Sequence, residues 1–185
     1  MAGRIEQRLK QQNIELPQPA VPVASYVPVV VAGGLAFVSG QVTFWNGEIR
    51  YRGRLGQEFS IEEGQAAARL CGLNIIAQLR AALGDLDRVK RCVRLGVFVN
   101  SADGFTDQPK VANGASDLMA QVFGEAGKHA RAAIGVNVLP LNVAVEVDAV
   151  FEVAPARAAP ARPKAKAKAK AKAKAKAKQP ARRRR

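Results

Sequence analysis

Polar residues inside apolar segments are the first candidates for chemistry in this chain. Arg131 opens an apolar segment that runs to Leu139, and Glu146 and Asp148 occupy polar positions of the last apolar segment. An arginine near a carboxylate is more often a structural ion pair. The alternative is a guanidinium that binds a substrate carboxylate, with a glutamate that orients or deprotonates water. The residues alone leave both interpretations open.

The histidine and cysteine content restricts the other kinds of chemistry. Because His129 is the only histidine, the sequence argues against a catalytic triad and against a multi-histidine metal site. Cys71 and Cys92 have no CxxC spacing and no obvious neighbouring base, and both lie in apolar patterns. We therefore predict buried free thiols. The sequence contains no phosphate-loop or dinucleotide-binding glycine motif.

The net charge of +14 is concentrated at the end of the chain. Residues 154–185 contain 14 basic and no acidic residues, which leaves 15 basic and 15 acidic residues in 1–153 from totals of 29 and 15. The body is therefore neutral, and its charge gives no reason to expect nucleic acid at its surface. Alternating alanine and lysine distributes charge all around a helix, so we predict that the tail is disordered.

Two interpretations of the tail remain. It is either a solvated appendage without a specific ligand, or an arm that binds DNA, RNA or another polyanion non-specifically by releasing counterions. It has no aromatic residue to stack on bases, which argues against sequence-specific recognition. The residues predicted to contact the polyanion are Lys164, Lys166, Lys168, Lys170, Arg182, Arg183, Arg184 and Arg185.

The hydrophobic patterns predict one α+β domain over residues 1–153. Apolar or alternating segments bounded by glycine turns predict strands at 26–31, 35–42, 49–51, 89–99, 132–139 and 143–153. Helical spacing predicts two long helices, at 60–83 and 111–123, and Ser60 with Glu63 predicts a capping box at the start of the first. A short peripheral helix is predicted around Ile5 and Leu9, where Pro17 stops it. The inward face of the fourth strand is predicted to carry Val89, Val93, Leu95, Val97 and Val99. That of the last strand is predicted to carry Val143, Val145, Val147, Ala149, Phe151 and Val153.

This order of elements predicts an antiparallel sheet with two helices on one face. Apolar residues such as Phe98 and Val150 also fall on the other face, so we expect it to be buried by self-association. The N-terminus lacks the apolar region of a secretory signal, and proline and glycine interrupt the longest apolar stretch. These features predict a soluble cytoplasmic protein without membrane contact.

The stretch from His129 to Val147 resembles the C-terminal signature of the Rid (YjgF/UK114) family. That signature is a small residue and arginine, then Leu-Pro, then an aliphatic residue and glutamate, and its spacing from Arg131 to Glu146 fits without a gap. Further matches are Tyr26-Val27, the run from Phe37 to Gln41, the run from Asn13 to Pro17, and Val97 to Val99. The resemblance covers nearly all of residues 5–153.

The resemblance implies an α+β, chorismate-mutase-like fold with a mixed sheet, assembled as a homotrimer with three clefts between subunits. It also implies hydrolysis of reactive enamines and imines to 2-oxo acids and ammonia, without a metal or cofactor. By position, Arg131 would pair with the substrate carboxylate and Glu146 would position the attacking water. Tyr26 and Ser39 would line the cleft, and backbone groups near Ala133 would help to hold the water.

Three positions depart from the family pattern. Ala133 replaces a cysteine, His129 replaces a proline, and Asp103 replaces an asparagine on the strand-to-helix loop. Asp103 could repel an anionic imino acid, or pair with Arg131 and neutralise it. His129 could add positive charge, although a single histidine is more often a bystander.

Two functions therefore stay open. One is an imine or enamine deaminase of altered substrate range. The other is a trimeric binding module for a small metabolite, or for RNA or DNA through three basic tails acting together. Members of the family have also been named endoribonucleases, but a neutral body with one histidine offers no obvious acid and base pair for RNA cleavage.

Overall fold

The structure is a computed structural model that describes residues 3–20 and 25–155. The predicted polyanion-binding residues of the tail lie outside the described residues. The helices are α1 (Arg4–Gln11), α2 (Ile61–Leu83) and α3 (Gln108–Phe123). The strands are β1 (Val29–Ala32), β2 (Leu35–Gln41), β3 (Phe44–Trp45), β4 (Glu48–Ile49), β5 (Val89–Asn100), β6 (Ala130–Val136) and β7 (Val145–Val153).

Five strands form one mixed sheet in the order β1-β2-β7-β5-β6, while β3 and β4 form a separate hairpin. The neighbours β1–β2, β2–β7 and β7–β5 are antiparallel, but β5–β6 is parallel. The antiparallel sheet predicted from the order of elements was therefore wrong, and the mixed sheet implied by the family resemblance is confirmed. The parallel pair needs a crossover, which α3 provides between the two strands. As a result β6 is an edge strand, and α3 lies directly beside it.

Helices α2 and α3 pack together on one face of this sheet, as the sequence predicted. Every second residue of β7 from Val145 to Val153 is buried, which confirms the alternation on that strand. Helix α2 begins at the predicted capping box, where Ser60 Oγ accepts from Glu63 N and the Glu63 carboxylate accepts from Ser60 N. It ends at Gly84, whose φ of 74° favours glycine.

The N-terminal helix is not peripheral, and that prediction was wrong. Ile5 and Leu9 are only 2% and 3% exposed and belong to the core. The carboxylate of Asp87 accepts from Arg4 N at 2.6 Å and Ile5 N at 2.8 Å, so a residue distant in sequence caps α1. The helix ends at Gln11, well before the proline that was expected to stop it.

Strand β5 departs from its predicted alternation. The pairing register with β7 shifts between Val89 and Arg91, and again between Cys92 and Arg94. A shift of this kind moves the side chains that follow to the other face. Cys92 is therefore buried, whereas Val93, predicted to face inward, is 37% exposed.

The second face of the sheet has no covering layer in the described part of the chain. Val30, Phe37 and Ile134 on this open face are each about half exposed. None of the helices in the described segments combines the length and hydropathy that a membrane span requires.

Candidate functional site

The sheet register places Arg131 and Glu146 on opposite faces of one chain. Arg131 pairs with Leu95, which is buried under the helices, so Arg131 lies on the helix side of the edge strand β6. Glu146 pairs with Phe98 and lies on the open face. One chain therefore does not bring its two predicted catalytic side chains together.

The guanidinium of Arg131 is held by three neutral acceptors of α3. Its Nη1 donates to Asn113 Oδ1 at 3.0 Å and to Ser116 Oγ at 2.9 Å, and its Nη2 donates to Pro109 O at 3.1 Å. No carboxylate forms an ion pair with Arg131 in the described ranges. Asp103, for which pairing with Arg131 was one of two open alternatives, instead lies exposed in the loop that follows β5.

His129 is hydrogen-bonded to the same serine as Arg131. Its Nε2 lies 3.0 Å from Ser116 Oγ, and its Nδ1 lies 2.6 Å from the carbonyl oxygen of Gly127. Although the single histidine argued against a triad, the fold pairs this histidine with a hydroxyl. We call Ser116 and His129 the Ser116–His129 pair.

Close packing of backbone positions His129 in this way. Gly127 lies directly against the Met119 carbonyl of α3, and a Cβ at Gly127 would collide with that oxygen. Only glycine permits so close a contact between this segment and α3. His129 follows two residues later, just before β6, and its imidazole therefore lies against Ser116 of the same helix.

The polar face of α3 was missed in the sequence analysis, although a signal was present. Pro109, Asn113 and Ser116 follow one another at spacings of four and three, which places them on one side of a helix. The core stripe of the same helix includes Ala115 and Leu118. A row of polar residues beside a row of buried apolar residues indicates a helix that packs at the edge of a sheet and contacts a polar side chain there.

Glu146 lies on the open face against a β-bulge of β2. The pairing of β2 with β7 shifts between Val38 and Gln41, and Gly40 within this bulge faces the Glu146 carboxylate. Desolvation and, secondly, the charge of Asp148 raise the pKa of Glu146 above its ordinary value. This carboxyl is therefore closer to a protonation equilibrium at neutral pH than a solvated glutamate.

Tyr26 and Ser39 lie near the same bulge. Ser39 Oγ donates to Pro28 O at 3.3 Å. Tyr26 is 53% exposed and lines a cavity of about 390 Å³ together with Gly40, Gln41 and other residues. Neither Ser39 nor Glu146 lines this cavity, but Ser39 precedes Gly40 and Glu146 lies against it. The three residues therefore lie around one bulge, and we call Tyr26, Ser39 and Glu146 the open-face half-site.

The remaining predicted residues belong to the other side of the sheet. Ala133 is two residues beyond Arg131 on β6, faces the same way, and packs partly against the core. The Ser116–His129 pair lies at the start of that strand. We call Arg131, Ala133, Ser116 and His129 the edge half-site.

Comparisons with known proteins place the chain in a family. Residues 6–153 match the family described as "YjgF/chorismate_mutase-like, putative endoribonuclease". Protein TCP17 of Trypanosoma cruzi is 51% identical over 153 residues, which cover 82% of this chain and 96% of TCP17. The crystal structure of Atu1372 from Agrobacterium tumefaciens, a protein with unknown function, is 45% identical with a TM-score of 0.76, covering 81% of this chain and 92% of that one. RidA from the Antarctic bacterium Psychrobacter sp. PAMC 21119 is 26% identical with a TM-score of 0.52, covering 74% and 94%. The chain therefore belongs to the YjgF/chorismate-mutase-like (Rid) family.

Proposed function

We propose that the protein hydrolyses imines or enamines derived from amino acids to 2-oxo acids and ammonia. The observation that carries this proposal is the state of Arg131. Three of its five N–H donors are held by neutral groups, and no carboxylate of the described residues compensates its charge. A guanidinium held in place with unused donors suits a substrate carboxylate.

The chemistry demands little beyond positioning. An imine carbon is already electrophilic, so fixing the substrate carboxylate and a water molecule supplies much of what hydrolysis needs. Glu146, whose pKa is raised, accepts a hydrogen bond from that water more strongly than a solvated carboxylate does, and so orients the water for attack. Neither step calls for a metal ion.

We further propose that the site is completed by a second chain in a homotrimer. The edge half-site and the open-face half-site lie on different surfaces, so a contact that joins them is heterologous and closes as a ring. The apolar residues of the open face, including Phe37 and Ile134, favour burial in such an assembly. Arg131 of one chain would then meet Glu146 of the next.

The first experiment measures 2-oxo acid formation from imino acids generated in place by an amino-acid oxidase. We expect the intact chain to accelerate hydrolysis and Arg131→Ala to lose this acceleration. Arg131→Lys is the matched control, because lysine keeps the charge but cannot form the planar fork, and we expect it to recover only part of the rate. No acceleration by the intact chain with any imino acid would overturn the proposal.

A mixing experiment tests the shared site. Arg131→Ala and Glu146→Ala chains should each be inactive alone. After they are unfolded together and refolded, about a quarter of the clefts in a random ring would pair an intact Arg131 with an intact Glu146. Recovered activity supports a site built from two chains, whereas a mixture as inactive as its parts contradicts it.

The second candidate function is polyanion binding through the tail. The supporting observation is the concentration of 14 basic residues in 154–185 beside a neutral body. Counterion release would make this binding strongly dependent on salt. This activity is compatible with hydrolysis because it uses a different part of the chain, and a cytoplasmic location would suit both.

A further inference from the structure

The hydrogen bonds around His129 define which ring nitrogen carries the proton. The Gly127 carbonyl oxygen, 2.6 Å from Nδ1, can only accept a hydrogen bond. In the neutral ring Nδ1 therefore carries the hydrogen, and Nε2 is an acceptor. It follows that the hydroxyl of Ser116 donates to Nε2 across the 3.0 Å contact.

The Ser116 oxygen has one position left for a ligand. Its hydrogen points to His129, and one lone pair accepts from Arg131 Nη1 at 2.9 Å. A hydroxyl oxygen has two lone pairs, so the second can accept from a water molecule or a substrate group. Ser116, His129 and Arg131 are all half-buried, which leaves the oxygen within reach of a small molecule.

We propose that the Ser116–His129 pair is a proton relay that serves the ligand held by Arg131. This inference rests on the proposed hydrolysis and adds an acid–base group that the family resemblance does not supply. Glu146 lies on the opposite face of the same chain, whereas the relay is hydrogen-bonded directly to the anchoring guanidinium. The Gly127 carbonyl orients the ring, as the third member of a catalytic triad does.

The relay balances the proton transfers of hydrolysis. When water attacks a protonated imine, an O–C bond forms and the C=N π electrons move to nitrogen. The water proton passes to Ser116 Oγ while the hydroxyl proton passes to His129 Nε2, which leaves a neutral carbinolamine and an imidazolium. The imidazolium returns this proton through Ser116 to the nitrogen, the C–N bond breaks, and ammonia leaves with the electron pair. The O-protonated 2-oxo acid that remains loses its proton through Ser116 to His129. The imidazolium gives this proton to the released ammonia, so the product leaves as ammonium and the relay is neutral again.

Arg131 assists this transfer beyond binding the substrate. Its Nη1 donates to the oxygen that carries partial negative charge while the proton moves to the ring. A positive donor at 2.9 Å lowers the energy of that arrangement. Substrate binding and proton transfer are therefore coupled through one oxygen atom.

His129→Gln is the sharpest test of the relay. A glutamine amide oxygen can replace Nε2 as the acceptor for Ser116, so Arg131 stays oriented, but an amide does not carry a proton. We expect kcat for imino acid hydrolysis to fall by about 10²–10⁴-fold, with KM within about twofold of the intact chain. Ser116→Ala should show a similar loss of kcat, and Ser116→Thr should restore part of it.

Asn113→Ala is the matched control, because Asn113 supports Arg131 but takes no part in the relay. It should raise KM by more than it lowers kcat, which is the opposite of the pattern for His129→Gln. If His129→Gln instead keeps the kcat of the intact chain, or raises KM as Asn113→Ala does, the pair only supports the arginine and the relay is refuted.

A spectroscopic test is independent of activity. Because the chain has one histidine, a tag-free sample labelled with ¹⁵N-histidine gives an unambiguous imidazole spectrum. At pH 8 we expect the Nδ1–H tautomer, with an Nε2 shift that changes in Ser116→Ala. A ring that carries its hydrogen on Nε2 overturns the relay, whereas an intact chain without any hydrolase activity overturns the proposed function itself.

Discussion

Substitution of Gly40 by alanine tests the open-face half-site through the stability of the protein. A Cβ at Gly40 would lie 2.9 Å from Cδ and 3.2 Å from Cγ of Glu146, and closer still to its Oε1. Carbon atoms in favourable contact are about 3.5–4.0 Å apart. The glutamate side chain must therefore move away from the bulge before alanine can be accommodated.

The structure gives the sign and size of the effect. Overpacking of this kind costs about 1–3 kcal/mol. The backbone of Gly40 is not in the left-handed region, so alanine also gains about 0.4–1 kcal/mol by restricting the unfolded chain. The net expectation is a loss of about 1 kcal/mol, or a melting temperature about 2–4 °C lower for a domain of this size.

The double variant with Glu146→Ala makes this expectation specific. Without the glutamate side chain the clash disappears, and Gly40→Ala should then stabilise the protein by about 0.4–1 kcal/mol. Glu152→Ala is the control, because Glu152 lies on the same face of β7 but pairs with Lys90 instead. Its effect should add to that of Gly40→Ala.

The assay is thermal unfolding at one fixed protein concentration, with 2-oxo acid formation measured on the same samples. Gly40→Ala should also lose hydrolysis, because the carboxylate is displaced. If the effects of Gly40→Ala and Glu146→Ala simply add to within about 0.5 kcal/mol, the carboxylate does not rest on the bulge, and our description of this half-site is wrong.

Three further outcomes are expected. Burial, and secondly the charge of Asp148, raises the pKa of Glu146. The folded state therefore binds this proton more tightly than the unfolded state. Stability consequently falls as the pH rises from the ordinary glutamate pKa toward the raised pKa of the folded state. Glu146→Gln should therefore melt higher than the intact protein at neutral pH but not below the ordinary glutamate pKa, and equal melting temperatures at neutral pH would contradict this. Burial raises the pKa of Cys92 to about 12 and that of Cys71 well above its ordinary value. A thiol reagent at pH 8 should therefore label neither cysteine in the folded protein and both after unfolding. Rapid labelling of the native protein would refute their burial. A chain that ends at Pro155 retains all of β7 and should lose salt-dependent RNA binding. A full-length chain whose tail lysines are replaced by glutamine should bind RNA with an intermediate dependence on salt. Unchanged RNA binding by the truncated chain would exclude the tail as the binding segment.

Sequence patterns predicted helices and strands correctly where interactions between residues close in sequence determine the structure. The capping box at Ser60 and the alternation of β7 needed only neighbouring residues, and both were confirmed. The cap of α1 by Asp87 and the register shifts on both sides of Cys92 depend on contacts across the fold. The hydrophobic periodicity of a segment depends only on its own residues and does not reflect such contacts. The sequence therefore predicted the wrong position for α1 and the wrong face for Val93.

The positions of the two catalytic candidates were harder to predict for a different reason. Strand β6 has small side chains on both faces, with Ala130, Ala132 and Ala133 around Arg131. Without a contrast between apolar and polar positions, its sequence does not show which face lies under the helices. Only pairing with Leu95 of β5 assigns Arg131 to the helix side.

The separation of Arg131 from Glu146 within one chain has a chemical advantage. Side by side in an isolated chain, the two would form an ion pair and neutralise each other before substrate arrives. On opposite faces, Arg131 keeps its charge among neutral acceptors while Glu146 is desolvated against the bulge. Ala133 and His129, two of the departures from the family pattern, both fall in the edge half-site. We therefore expect any departure from the family's activity to arise in the edge half-site rather than in the open-face half-site.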